Sequence, residues 1–526
     1  MVALKVWAWF FLCIVGHVLG NEVAEEAVSV ASEVIESVSE IIDADRNVET
    51  SIQSEVASTV AAAPEERNDN LKHKKNPVDW VNIKYQRIID LSGVGITEEV
   101  RVVAKNIGEK ATDEYHVLLP FNIFSKMSAF SAAMGDAETD GSGFVKFRAL
   151  SATLKQLNNM EVGFGFLTLP KVVEVGETIE LRIIYKYNEC GVPSPEKIGM
   201  NDPQYLKYEF YRLPFSFYNT ESAVLLVGGS DDIQELNVKN VEEQYQGQLA
   251  EKAMQFGEFT DIPRLTIEKP VTIRYLHDKA LNEVVYLKRD LWISHWAGTL
   301  EFSEYYEYQN KGAGLIDNYS RKEIMKNPQL TQKATVRAVI EHKLPEGSTD
   351  QYTVDKVGKI NTAQMNEGLY YIKPRFPIYG GWAYNYTIGW TNVLKDFLRV
   401  NESDSESFIL AAPILNGPMD TAYDLVEYSV YLPEGAEFVE AKSPLPFMSL
   451  DVSNENSYFD LQKGHVKVTF TFRNIVNEVA DSQILVTYNY SKEALYSKFL
   501  RISFYIFVAL MSFFFLNAIN LRVTKK

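Results

Sequence analysis

The sequence predicts a mainly β protein: two tandem antiparallel β-sandwich-like domains followed by one C-terminal transmembrane helix. Three observations carry that prediction. From Trp80 onward apolar and polar residues alternate, as in Ile179-Glu180-Leu181-Arg182-Ile183 and Val466-Lys467-Val468-Thr469-Phe470-Thr471-Phe472. A period of two buries one face of a strand and wets the other. Two stretches, EEVRVVAKNIG from Glu98 and FSEYYEYQNKG from Phe302, bring Asn106 and Gly108 into line with Asn310 and Gly312. Each is followed by a Leu-Pro, at Leu119-Pro120 and Leu344-Pro345, so a duplication is expected. Finally, Ile502 to Leu521 reads ISFYIFVALMSFFFLNAINL, without charge or proline. About twenty helical residues span roughly 30 Å, the thickness of a bilayer core.

In chain order, residues 1–20 read as a signal peptide. Lys5 is their only charge, Val6 to Val18 is apolar, and an acidic stretch follows at once. Cleavage before Asn21 is expected, which places the body in the lumen. Residues 21–76 form an acidic low-complexity segment, disordered or weakly helical. It has no aromatic residue and carries thirteen acids against five bases, so it supplies little core. The first β domain is expected at 77–287 and the second at 288–495. The span follows at 502–521, with a basic cytosolic tail at 522–526. This makes the chain a single-pass type I membrane protein.

Local signals mark the joints. Leu344-Pro345-Glu346-Gly347 and Leu432-Pro433-Glu434-Gly435 read as type I turns, with Pro second and Gly fourth. Val336, Ala338 and Ile340 alternate as a strand. Ser320 with Glu323 makes a capping box for a short helix near Lys322 to Lys326. Asp202-Pro203 predicts another helix start. Cys13 leaves with the leader, so Cys190 has no partner for an intrachain disulfide and reads as a buried structural thiol. The formal net charge of −18 argues against nucleic acid as a partner.

No catalytic constellation is legible. The seven histidines, His17, His73, His116, His277, His295, His342 and His465, include no pair within five residues, so no helical zinc pair exists. Gly-x-Ser-x-Gly, Walker A and the dinucleotide fingerprint are absent. Asp43 and Asp45 make an Asp-x-Asp within the acidic run and read as solvated. No cofactor or metal is expected. A carboxylate pair assembled in three dimensions would be invisible at this level. The aromatic-rich stretch YYIKPRFPIYGGWAYNYTIGW from Tyr370 includes Trp382 and Trp390. It reads as core filling, with a stacking platform for sugar or peptide as the alternative. Trp292 and Trp296 in LWISHW are read the same way. Asn318, Asn385, Asn401 and Asn489 head Asn-x-Ser/Thr sequons and are the expected glycosylation sites.

Four strings go further than any of these motifs: KRDLWISHWAGTLEFSEYYEYQNKGA from Lys288, KPRFPIYGGWAYNYTIGWTN from Lys373, ILNGPMDTAYDLVEYSVYLPEGAEF from Ile414 and SYFDLQKGHVKVTFTFRN from Ser457. In them the chain resembles the ribophorin I family, subunit 1 of the oligosaccharyltransferase complex of the endoplasmic reticulum, over nearly all of Trp80 to the span. The resemblance implies a non-catalytic subunit of a complex that moves a preassembled oligosaccharide from dolichyl diphosphate to Asn in Asn-x-Ser/Thr. It implies as partners the other subunits, including the catalytic polytopic one, together with the nascent polypeptide and membrane lipid. It also implies two β domains similar to the non-catalytic N-terminal domain of zinc aminopeptidases. The catalytic subunit's Trp-Trp-Asp signature is missing here. The segment at 21–76 has no counterpart in the family pattern. The five-residue tail differs from the long basic cytosolic domain of animal relatives. A free luminal chaperone or lectin-like membrane protein is the alternative reading.

Overall fold

The computed structural model describes residues 79–518 apart from 136–145, 155–159, 189–190, 237, 239–241, 243–244, 251–252, 318, 332, 402–403, 458–463 and 478–481. The expectations for the leader, the acidic segment, the tail, Cys190, Asp43 and Asp45 fall outside the described residues.

Strands begin where the alternation begins. β1 (Trp80–Asp90) and β2 (Ile96–Asn106) form a hairpin, bulged at Asn82 and Lys84. β3 (Thr112–Pro120) leads through a four-residue helix, α1 (Phe121–Phe124), into β4 (Met127–Met134). Then come β5 (Lys146–Leu154), β6 (Met160–Val173), β7 (Thr178–Tyr187) and the short β8 (Val192–Pro193) and β9 (Lys197–Ile198). β10 (Tyr205–Phe210) follows directly on Asp202-Pro203, where a helix was expected. Leu206, Tyr208 and Phe210 alternate into the core, and that burial outweighs the local proline signal. Asp202 instead accepts a hydrogen bond from the Gly199 N–H at 2.9 Å and closes a turn. β11 (Asn219–Gly228), β12 (Ile233–Glu235), β13 (Gln248–Ala250), β14 (Ala253–Ile262) and β15 (Val271–Leu276) complete the first half.

The second half opens with another bulged hairpin, β16 (Asn282–Ser294) and β17 (Thr299–Asn310). After β18 (Gly314–Leu315) comes the short α2 (Arg321–Lys326), where the Ser320 signal placed a helix. β19 (Ile340–Lys343) is shorter than the alternation predicted. Arg337 makes only a single bridge to Ile378. Asn310 draws the Thr335 carbonyl to itself at 2.9 Å, which holds this segment on a turn. β20 (Thr349–Asp355), β21 (Gln364–Asn366), β22 (Leu369–Ile372) and β23 (Ala383–Val393) follow. Next are β24 (Leu398–Asn401), β25 (Asp404–Pro413), β26 (Ala422–Tyr431) and β27 (Glu437–Lys442). β28 (Ser449–Glu455), β29 (His465–Val476) and β30 (Gln483–Asn489) end the sheets.

The two halves share one topology. The first seven-stranded sheet runs β13-β14-β11-β1-β2-β7-β4 and the second, read from the same side of the order, β28-β29-β26-β16-β17-β23-β20. Each is antiparallel except at one central pair, β1 with β11 and β16 with β26. The smaller sheets correspond too: β8-β10-β15-β12 with β24-β25-β30-β27, and β3-β6-β5 with β19-β22-β21. The Asn-x-Gly turns do the same work in both halves. Asn106 accepts from the Gly108 N–H at 2.9 Å and donates to the Val173 carbonyl at 3.0 Å. Asn310 accepts from the Gly312 N–H at 3.0 Å and donates to the Ile378 carbonyl at 3.2 Å. Each half has its own apolar core, one built from Trp80 to Leu281 and the other from Val284 to Tyr490. The residue 287 boundary expected from sequence lies inside β16, and residues 277–281 form the link between β15 and β16. The halves are tied by the parallel pairing of β9 with β18 and by Gln204. The Gln204 side chain accepts from the Ala313 N–H at 2.8 Å and donates to the His277 carbonyl at 2.9 Å.

The Leu-Pro-Glu-Gly turn after β26 differs from its predicted type. Its closing bond runs from the Ala436 N–H to the Pro433 carbonyl at 3.0 Å, and Gly435 has φ +87°. Glycine is therefore third, with the positive φ of a type II turn. It also lets the chain pass close to the last helix, since a Cβ there would lie 3.2 Å from that of Ala494. That helix, α3 (Lys492–Ala518), is 27 residues long. Ser491 caps it by accepting from the Ala494 N–H at 3.1 Å. Ala494 and Leu495 pack on the second core, and from Tyr496 onward large apolar side chains are exposed. α3 is long and apolar enough to cross a membrane.

Candidate functional site

Strand alternation should send charges outward. Arg87 and Arg289 break that rule at corresponding places, seven residues into β1 and β16. Arg87 holds Glu98 with two hydrogen bonds, of 2.6 and 3.0 Å, and donates a third to the Tyr211 carbonyl. Glu98 also accepts from the hydroxyls of Tyr185 and Tyr187, each at 2.7 Å. Burial alone would raise the Glu98 pKa, but the Arg87 charge and these donors outweigh it and hold the carboxyl below its usual value. In the second half Arg289 pairs with Glu304, its cross-strand neighbour, and donates to the Pro413 carbonyl at 3.1 Å. The Tyr306 hydroxyl completes Glu304. Both side chains of the second pair are 0% exposed. A charge pair sealed in this way does not meet solvent, and breaking it would leave an uncompensated buried charge.

The histidines are similarly engaged. His342 is fully buried, with Nε2 3.0 Å from the Tyr386 hydroxyl. His295 lies 2.8 Å from the Tyr488 hydroxyl. His116 meets Tyr218 at 3.1 Å, and His465 meets the Leu432 carbonyl at 2.6 Å. Among the described residues, no group of three or more His, Cys, Asp or Glu could hold a metal ion.

Burial pushes the His342 imidazole down to about 3, with the Asn416 backbone opposing and Arg289 adding to the effect. The unfolded chain takes up a proton near the ordinary value of 6.5, whereas the folded chain does not. The stability tied to neutral His342 is therefore complete above pH 6.5 and is lost as pH falls toward about 3. The slope is at most roughly 1.4 kcal/mol per pH unit. Replacing His342 with Asn should flatten the fall in melting temperature between pH 6.5 and 5.5, where carboxylates still contribute little. His277 and His295, also lowered by burial, act in the same direction. An unchanged pH profile would refute this account.

The aromatic stretch from Tyr370 fills the core. Tyr370, Tyr379, Tyr384, Tyr386 and Trp390 are buried, and Trp390 stacks on Phe302 with centroids 4.8 Å apart. Trp382 is half-buried against Phe376, Tyr379 and Tyr319. Trp292 stacks on Tyr431 at 3.8 Å. Trp296 is the exception and is 52% exposed.

Of the sequon asparagines, Asn385 lies on β23, half-buried on the face away from the core, and donates to the Tyr305 hydroxyl at 3.0 Å. Asn489 ends β30, between Ser407 and Glu437 on the flanking strands. Asn401 ends β24, with its side chain outside the description, and Asn318 lies outside the described residues. β24 and β30 flank β25, so Asn401 and Asn489 lie at the same end of one sheet, whereas Asn385 lies in the seven-stranded sheet. Sequence reading missed the two buried Arg–Glu pairs. The available signal was an arginine at an inward phase of each strand, visible only once the bulge is placed.

The family model described as Ribophorin I matches residues 80–517. The chain belongs to the ribophorin I family. That match takes in every strand and nearly all of α3. This ribophorin I family member is similar to dolichyl-diphosphooligosaccharide–protein glycosyltransferase subunit 1A of Arabidopsis thaliana. The two are 23% identical over 435 residues, covering 78% of this chain and 68% of that one. It is likewise similar to subunit 1 of Schizosaccharomyces pombe, 23% identical over 434 residues, covering 81% and 91%. Among solved structures, native yeast LTA4 hydrolase matches 38% of this chain and 30% of its own at 10% identity, with a TM-score of 0.24. A likeness that loose carries no argument.

Proposed function

We propose that this chain is a non-catalytic subunit of the oligosaccharyltransferase complex of the endoplasmic reticulum. That complex transfers a preassembled oligosaccharide from dolichyl diphosphate to Asn in Asn-x-Ser/Thr of nascent proteins. The observation that carries the reading is the family match from β1 through α3, together with relatives named as subunit 1 of that transferase. α3 anchors the chain once, with the two β halves in the lumen. Those halves pack beside the polytopic catalytic subunit and keep the acceptor polypeptide near it. Holding an acceptor close raises its effective concentration and needs no reactive group on the holder. The inward-facing charge pairs and the engaged histidines support that division of labour. Asn318, Asn385, Asn401 and Asn489 are proposed to carry glycans of their own.

Native extraction in mild detergent tests the reading. The chain should co-migrate with a polytopic transferase subunit and resist protease in sealed microsomes. Endoglycosidase should shift it by up to one step per sequon. A free monomer retaining glycan or peptide affinity would favour a lectin-like or chaperone role instead. Digestion from outside the microsomes would overturn the topology.

A further inference from the structure

The hairpin joining β16 to β17 presents Trp296 in an unusual setting. Trp80 and Trp390, on the strands, are 2% exposed, whereas Trp296 at the tip is 52% exposed. The tip is nonetheless held firmly. The Ala297 N–H donates to the Ser294 hydroxyl at 3.2 Å, and His295, next in sequence, contacts Tyr488. The Leu394 N–H donates to the Gly298 carbonyl at 2.9 Å, which sets exposed Val393 and Lys395 beside it. Among the described residues, the aromatic ring that meets the Trp296 indole is Phe499 of α3, with centroids 6.1 Å apart. Phe499 precedes the charge-free run at Ile502 by three residues, a rise of about 4.5 Å along a helix.

That contact fixes a level. If α3 crosses the bilayer, Phe499 lies at the edge of the hydrocarbon, and Trp296 lies beside it. An indole has a large apolar body and one N–H, which suits the headgroup layer better than either water or hydrocarbon. Tyr496, exposed on the same helix, and Arg501 and Lys492 around it are the residue types that mark the same layer.

We propose that the Ser294–Thr299 hairpin tip is a membrane-contact site, with Trp296 seated among lipid headgroups beside the point where α3 enters the bilayer. The second half would then have two attachments to the membrane, α3 itself and this tip. Its strand ends at 294, 299 and 393 face the lipid, and the opposite ends of the same strands face away. The proposal rests on the reading of α3 as a span.

The test places a photoreactive benzoylphenylalanine at one position of the full chain in native membranes containing lipid with a clickable acyl chain. Three positions are compared. Ile506, within α3, reports whether the helix meets lipid. Val357, 78% exposed beyond the far end of β20, is the control for a surface away from the bilayer. Position 296 is the question. Lipid adducts at 506 and 296, with none at 357, are expected. Adducts at 506 alone, or a protein adduct in place of lipid at 296, would overturn the membrane contact while leaving α3 a span. Absence of lipid adduct at 506 would remove the span and the proposal together.

Discussion

Replacing Glu304 with Ala should destabilise the second half by about 3–5 kcal/mol, because it strands the Arg289 charge in a dry core. Neither partner has solvent access, so water cannot substitute for the missing carboxylate. The loss would appear as an earlier urea transition of the purified chain. Tryptophan emission should report it, since Trp390 lies over Phe302 in that core. Replacing both partners at once, Arg289→Met with Glu304→Leu, should recover most of the stability, since apolar replacements of a buried pair are often neutral or better. If Glu304→Ala unfolds at the wild-type urea concentration, the pair contributes nothing and the packing argument fails. Because each half has its own core, Glu98→Ala should produce a comparable loss confined to the first half.

The same pairs show where sequence reading stops. Val466 to Phe472 and Ile179 to Ile183 were legible as strands because their period of two survives in β29 and β7. The Asn-x-Gly resemblance was legible because both turns need the same side-chain acceptor two residues before a glycine N–H. Arg87 and Arg289 were not. Each sits beyond a bulge that shifts the phase of its strand, and a bulge leaves no fixed mark in the sequence. The helix expected at Asp202-Pro203 failed for a related reason. A local start signal is worth little against three side chains buried on β10. The sequons were read directly, but their places on central and edge strands depend on pairings far apart in the chain.

The second large effect concerns the anchor. Arginine at both Leu510 and Phe513, each exposed and near the middle of the charge-free run Ile502 to Leu521, should cost about 5–7 kcal/mol of membrane insertion, at roughly 2.5–3.5 per charge. The variant should become extractable by alkaline carbonate, and the amount of assembled transferase complex should fall with it. Glycosyl transfer should fall in proportion to the complex, so that activity per assembled complex stays level. His295→Ala gives the contrast. Loss of a positioned acid or base typically removes about 10²–10⁴ in rate, whereas here transfer per complex should stay within a few-fold. A variant with both arginines that remains integrated and assembled would show that α3 is not the anchor.

The parallel pairing at the centre of each large sheet has a consequence for the order in which the chain matures. Val81 finds its partner at Asn219, and Glu283 finds its partner at Ala422. Neither hairpin can be flanked on that side until well over a hundred further residues exist. Loop closure of that length is entropically costly and slow. On a ribosome adding about 5–20 residues per second, the first half has all its strands once Leu276 has emerged. The second half waits for Asn489, three residues before α3 begins. During that interval β16 and β17 expose an unpaired ladder edge beside a finished neighbour, and β9 already stands ready to receive β18. The first half thus has all its described strands before the second half is made, and the last strands of the second half become available only as α3 follows them.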